Sequence, residues 1–178
     1  MEQQEISIFK YFAVMLVCFA IDSTISYFLP ANFSKEGVFV IPAISLMMYL
    51  LLLDSIDNTS YRYFFGAICG LYYSIVYSNS LAIYILIYVL MAFIRTHVFK
   101  IENLNFFEWL IFALVVIVFQ EVVVYSLMKA TGVTAYGIKR FVINRIFPTL
   151  AFNLVMFIPL FYLSKFIIES FRAKISKP

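Results

Sequence analysis

Residues 63–94 read YFFGAICGLYYSIVYSNSLAIYILIYVLMAFI, a run without a single charged side chain. As one helix it would be roughly 48 Å long at about 1.5 Å per residue, while the hydrocarbon core of a bilayer is about 30 Å thick. The run is too long for one crossing, and the polar triplet Ser78–Ser80 in its middle has the composition of a tight turn. Two short apolar helices joined by that turn are the reading it favours. The rest of the chain speaks the same language: 64% of residues are hydrophobic and 13% charged, where a soluble domain averages roughly 45–50% and about 25%. A mean hydropathy of +0.96 over 178 residues describes an integral membrane protein. The 21 Phe and 13 Tyr fit lipid-facing surfaces and interfacial belts.

Segments long or apolar enough to count as spans lie near Ile8–Leu29, Gly37–Leu53, Tyr63–Tyr77, Leu81–Phe99, Phe106–Met128 and Arg145–Ile168, shorter ones being tolerated where bundle or bilayer adapts. The expected architecture is an all-α polytopic bundle of about six helices in a single domain, residues 1–178. The first span follows an acidic start and lacks a small-x-small cleavage site, so it is expected to stay attached. An even number of spans puts both termini on one face with Lys10, Arg62, Arg95, Lys100, Lys165, Arg172, Lys174 and Lys177, against Lys35, Lys129, Lys139, Arg140 and Arg145 on the other. That bias places both termini in the cytoplasm. The basic run 129–145, KATGVTAYGIKRFVINR, stands out on the opposite face. Its cations can snorkel to lipid phosphates, or Lys139 and Arg140 can meet a partner or an anionic ligand.

Ionisable groups within spans are costly and raise a functional question. Asp22 lies seven residues before Leu29, Glu121 beside Gln120 lies seven before Met128, and Asn153 lies eight after Arg145. At about 1.5 Å per residue, all three come to rest roughly 10–12 Å below one surface. A polar layer inside the bundle is expected there, made of Asp22, Gln120, Glu121, Asn144, Arg145 and Asn153, with Arg145 and Asn144 near enough to neutralise one carboxylate. Such a layer can fix which helices meet, or it can line a ligand pocket.

An enzyme is not expected. His97 is the single histidine, and no H-E-x-x-H, G-x-S-x-G or phosphate-cradling glycine loop occurs. Cys18 and Cys69 lie in apolar runs without metal-ligand spacing and read as buried thiols. Neither a cofactor nor a nucleic-acid partner is implied.

The final span opens with RIFPTLAFN, residues 145–153, and here Pro148, Thr149 and Asn153 resemble the C-terminal signature of the MreD family of rod shape-determining membrane proteins. The middle of the chain is similar to the same family, with Gly66 and Gly70 punctuating one helix ahead of a turn and an aromatic-rich helix, and Pro42 early in the second span agrees. Ser74 and Ala82 stand where the family commonly carries Asp and Gly. The resemblance implies a non-enzymatic part of the bacterial elongation machinery in the cytoplasmic membrane, associated with MreC, MreB, RodA and a class B penicillin-binding protein in lateral peptidoglycan synthesis. It also implies a bundle similar to the substrate-binding subunits of energy-coupling factor vitamin transporters, which supply the alternative function. Those subunits often carry an Ala-x-x-x-Ala face on the first span; here Ala13 and Ala20 are seven apart. From the residues alone, Pro148 can occupy the first turn of a regular helix, where its missing N–H has no intrahelical partner. Asn144–Phe147 would then form an irregular lead, and Asn153 would point across the bundle.

Overall fold

The computed structural model describes residues 2–29, 37–77, 81–98 and 104–175, and every regular element among them is helical. Seven helices follow in order: α1 Glu2–Phe28, α2 Ile44–Leu53, α3 Thr59–Tyr77, α4 Leu81–Phe93, α5 Phe106–Ala130, the single turn α6 Ile138–Phe141, and α7 Phe147–Ile175. Two π-helical turns complete them, Ile94–Val98 ending α4 and Val142–Ile146 joining α6 to α7. The expected turn at Ser78–Ser80 lies outside the described residues.

Three of these helical stretches, Ile8–Phe28, Phe106–Ala130 and Ile138–Phe171, are long and apolar enough to cross a membrane, while Ile44–Leu53 and Ile83–Val98 are apolar but shorter. Of the six expected segments, the short ones at Tyr63–Tyr77 and Leu81–Phe99 fall on α3 and α4. The clearest departure is the second span. Gly37–Ala43 is not helical, and α2 keeps ten residues, about 15 Å of helix or half a hydrocarbon core. The last span also begins earlier than expected, at Ile138 rather than Arg145, with the π-turn as its irregular lead and Pro148 as the second residue of α7.

All ten residues of α2 are buried. A helix apolar on every side belongs at the centre of a bundle, and α2 accordingly packs against α1, α3, α5 and α7. The helices around it turn large apolar side chains outward: Phe9, Val17, Val115, Val155 and Phe166 are all more than half exposed. An exterior of this kind is stable in lipid, where burial from water is supplied by the bilayer.

The tightest pair is α3 with α4. A Cβ on Gly70 would come within 2.7 Å of Ile85 Cα and 2.8 Å of the Tyr84 carbonyl, so only glycine lets these backbones meet. A Cβ on Gly66 would meet Tyr49 Oη at 2.7 Å. That hydroxyl donates to the Tyr88 carbonyl at 2.8 Å and ties α2 to the α3–α4 pair.

Candidate functional site: a buried polar seam

The seam starts from a backbone problem. Seven consecutive residues outside any helix leave N–H and C=O groups unpaired, and within hydrocarbon such groups are tolerated only where protein satisfies them. The residues that satisfy them come from the start of the last helix. Phe39 N–H donates to the Asn144 carbonyl at 2.7 Å, Ile41 N–H to Thr149 Oγ1 at 3.2 Å, and Ala43 N–H to Asn153 Oδ1 at 2.9 Å. Asn153 Nδ2 returns a bond to the Ile41 carbonyl at 2.8 Å.

Donors leaving from alternate residues 39, 41 and 43 are the mark of an extended chain. The register follows from two rises: four extended residues cover about 13 Å, and the nine helical residues from 144 to 153 cover about 13.5 Å. Residues 37–43 therefore lie along the opening turns of the last helix with their spacings matched. Pro42 sits between two donors, where no N–H is required of it. Arg145, Thr149 and Asn153 follow one another at intervals of four and share one buried helix face.

Where α2 begins, Asp22 of α1 takes over. Its Oδ1 accepts from Ile44 N–H at 3.0 Å, and its Oδ2 accepts from Ser45 N–H at 2.8 Å and from Ser45 Oγ at 2.5 Å. A carboxylate from another helix thus serves the free N–H groups of α2, with the favourable sign at a helix N-terminus. Three consecutive backbone donors, Ala43, Ile44 and Ser45, are divided between Asn153 and Asp22.

The second part of the seam is an ion pair. Arg145 Nε donates to Glu121 Oε2 at 2.6 Å, with both side chains almost wholly buried. The π-turn at Val142–Ile146 widens the helix at the arginine, and such turns recur where a helix must re-aim a side chain. Gln120 is buried beside Glu121 on α5. Asn144 is half-buried and contributes the carbonyl that receives Phe39. The gap beside this pair, bordered by Phe39, Tyr136, Arg140 and Asn144, holds about 10 Å³, room for about one water. Lys139 and Arg140 are exposed at its outer end, the latter 4.8 Å from the Tyr136 ring centroid.

Sequence reasoning did not anticipate Ser45, which sits in an apolar run, nor a second ion pair at the far end of the bundle. There Arg95, in the other π-turn, bonds Asp54 just past α2 and lies 5.4 Å from the Trp109 ring centroid. A carboxylate closing one apolar run and an arginine closing another were the signals available for it. His97 is exposed, with Nε2 3.0 Å from Tyr63 Oη. Cys18 and Cys69 are free and buried.

Compared with known proteins, the chain is 22% identical over 157 residues to the rod shape-determining protein MreD of Bacillus subtilis (strain 168), across 85% of this chain and 91% of the relative. This chain is similar to MreD. The match is distant but covers most of both chains. No family model matches the chain, and no solved structure matches it. The likeness, together with three helices fit to cross a membrane, describes a membrane protein related to a determinant of rod shape.

Proposed function

We propose that this protein is a non-enzymatic component of the bacterial cell-elongation machinery, organising lateral peptidoglycan synthesis through contacts made in the cytoplasmic membrane. The observation that carries this reading is the likeness to MreD over 85% of the chain. The seam supports it: Asp22, Thr149, Asn153, Glu121 and Arg145 bond backbone or one another, which suits a rigid docking body better than a reaction centre. The chain forms one domain with six passes and both termini in the cytoplasm. Residues 37–43 and α2 together supply the second pass, since the stretch from Phe39 to Ala43 alone adds about 13 Å to the 15 Å of helix. MreC is the expected direct partner, with MreB, RodA and a class B penicillin-binding protein in the same assembly, and Lys139 and Arg140 lie at the contact.

The second reading is a substrate-binding subunit of an energy-coupling factor transporter, with the related bundle fold. It would require the seam to open into a ligand cavity, and the gap of about 10 Å³ beside Arg145 favours the shape-determining reading. Depletion in the native host, with imaging of cell outline and of newly inserted wall, separates the two. Rounded, swollen cells with delocalised wall synthesis are expected. Normal outline with an acquired vitamin requirement would replace the proposal by the transporter reading.

A further inference from the structure

The last helix carries a proline where its surface faces outward. Pro159 lies inside α7. It is exposed together with Val155, Ile158, Tyr162 and Phe166, whereas Asn153, Phe157, Leu160 and Ser164 on the opposite face are buried. Proline has no N–H, so the Val155 carbonyl, four residues back, loses the donor that a regular helix gives it. A helical carbonyl points toward the residue four further on, so this one opens between two exposed residues. No side chain of the described residues is bonded to it.

Its depth makes the missing donor costly. The apolar stretch Ile138–Phe171 extends about 25 Å to either side of Val155. A hydrocarbon core of about 30 Å therefore includes this carbonyl wherever along the stretch it falls. Acyl chains hold no donor, and a carbonyl freed by proline in hydrocarbon is satisfied from a neighbouring helix. Within this chain the neighbours of α7 lie on its other face. Nor does a second copy supply the bond, because a two-fold pair sets like residues against like, and Val155, Ile158 and Pro159 have no side-chain donor to offer one another. The nearest hydroxyl on the face, that of Tyr162, is seven residues or about 10 Å further along, and its ring is stacked on Phe106 of α5 with centroids 6.5 Å apart. We propose that the Val155–Pro159 face of α7 docks a membrane-spanning helix of a different protein, one that carries a serine, threonine, asparagine or glutamine at this depth to donate to the Val155 carbonyl. The inference goes beyond the role in cell shape and rests on the chain crossing a bilayer.

Photo-cross-linking in the native host tests it. With p-benzoylphenylalanine in place of Ile158, illumination joins the chain to its neighbour at this turn, and mass spectrometry of the adduct locates the attached segment. The expected adduct is a second protein, joined within one helical turn of a Ser, Thr, Asn or Gln inside a membrane span. Pro159→Ala returns the N–H to the helix and is a better helix former, so the variant folds. It should lower the adduct yield about three- to tenfold, the range of one interhelical hydrogen bond. Replacing the partner's donor by alanine should lower it equally, and both substitutions together no further, which separates the hydrogen bond from the kink that proline also imposes. Adducts with lipid only, or with a second copy of this chain, would overturn the proposal. So would a partner segment without such a donor, a yield that Pro159→Ala leaves unchanged, or losses that add when both substitutions are made.

Discussion

Glu121 and Arg145 show how a membrane protein keeps charges that hydrocarbon would reject: each is the other's solvent. Removing one partner of a buried pair leaves an uncompensated charge, at about 3–5 kcal/mol, while replacing both by neutral groups costs far less. Glu121→Gln and Arg145→Gln are therefore each expected to destabilise by that amount, and the double variant by clearly less than their sum. Unfolding titrations of the four proteins in mixed micelles give the coupling directly, and additive losses would refute the pairing. Asp22 is a different case, since two of its three donors are backbone N–H groups that cannot be mutated away. Asp22→Ala strands Ile44 N–H, Ser45 N–H and Ser45 Oγ at once and should cost about 2–4 kcal/mol. Asp22→Asn keeps one acceptor and should lose about half as much in the same assay.

At the scale of elements, the seam explains why the opening of α7 is polar. Thr149 and Asn153 satisfy an extended segment, and no local pattern could have revealed that segment. Val38, Phe39, Val40 and Ile41 have the hydropathy of a span, and the polar partners of Ile41 and Ala43 lie 108 and 110 residues away in sequence, at Thr149 and Asn153 respectively. Composition thus made the membrane class legible, and the cost of burying Asp22, Glu121 and Asn153 singled out those residues. Which groups they would bond was decided by packing between distant helices. The early start of the last helix was hidden for a related reason, because the basic residues Lys139 and Arg140 resemble loop until Ile138, Ile143 and Phe147 are seen facing outward. Asn153→Leu preserves the bulk and removes the bonds to the Ala43 N–H and the Ile41 carbonyl, leaving Thr149 alone on the Ile41 N–H, so it should loosen residues 37–43 before the helices separate. Hydrogen exchange of the Ile41 and Ala43 amides is expected to accelerate by about tenfold or more, in keeping with about 1–2 kcal/mol of local protection, while amides of α5 keep theirs. The α3–α4 pair makes a sharper distinction. Gly70→Ala meets two backbone atoms under 3 Å, whereas Gly66→Ala meets the buried Tyr49 hydroxyl at 2.7 Å and the Tyr88 carbonyl only at 3.2 Å. About 1–3 kcal/mol is expected for the first and less for the second, read from the same unfolding titration.

For the whole molecule, the arrangement around α2 divides labour between a fixed interior and an exterior left to lipid and partners. Because Asp22, Glu121, Arg145, Thr149 and Asn153 are engaged within the seam, specificity toward another protein has to come from the surface, where Lys139 and Arg140 present two adjacent exposed cations. Neither residue belongs to the core; Arg140 stacks on Tyr136, an exposed contact of about 0.5–1 kcal/mol. Reversing both charges, K139E/R140E, should therefore leave the protein folded, with an unfolding midpoint close to that of the unaltered chain. A partner that reads this end would instead meet like charge where it expects opposite, a discrimination that acts on association and not on the fold. In cells depleted of the native chain, the doubly reversed protein is expected to accumulate in the membrane at normal level and fail to restore rod shape, whereas Lys139→Arg with Arg140→Lys restores it. Full rescue by the reversed variant would move the partner contact away from this end and onto the apolar faces of the outer helices.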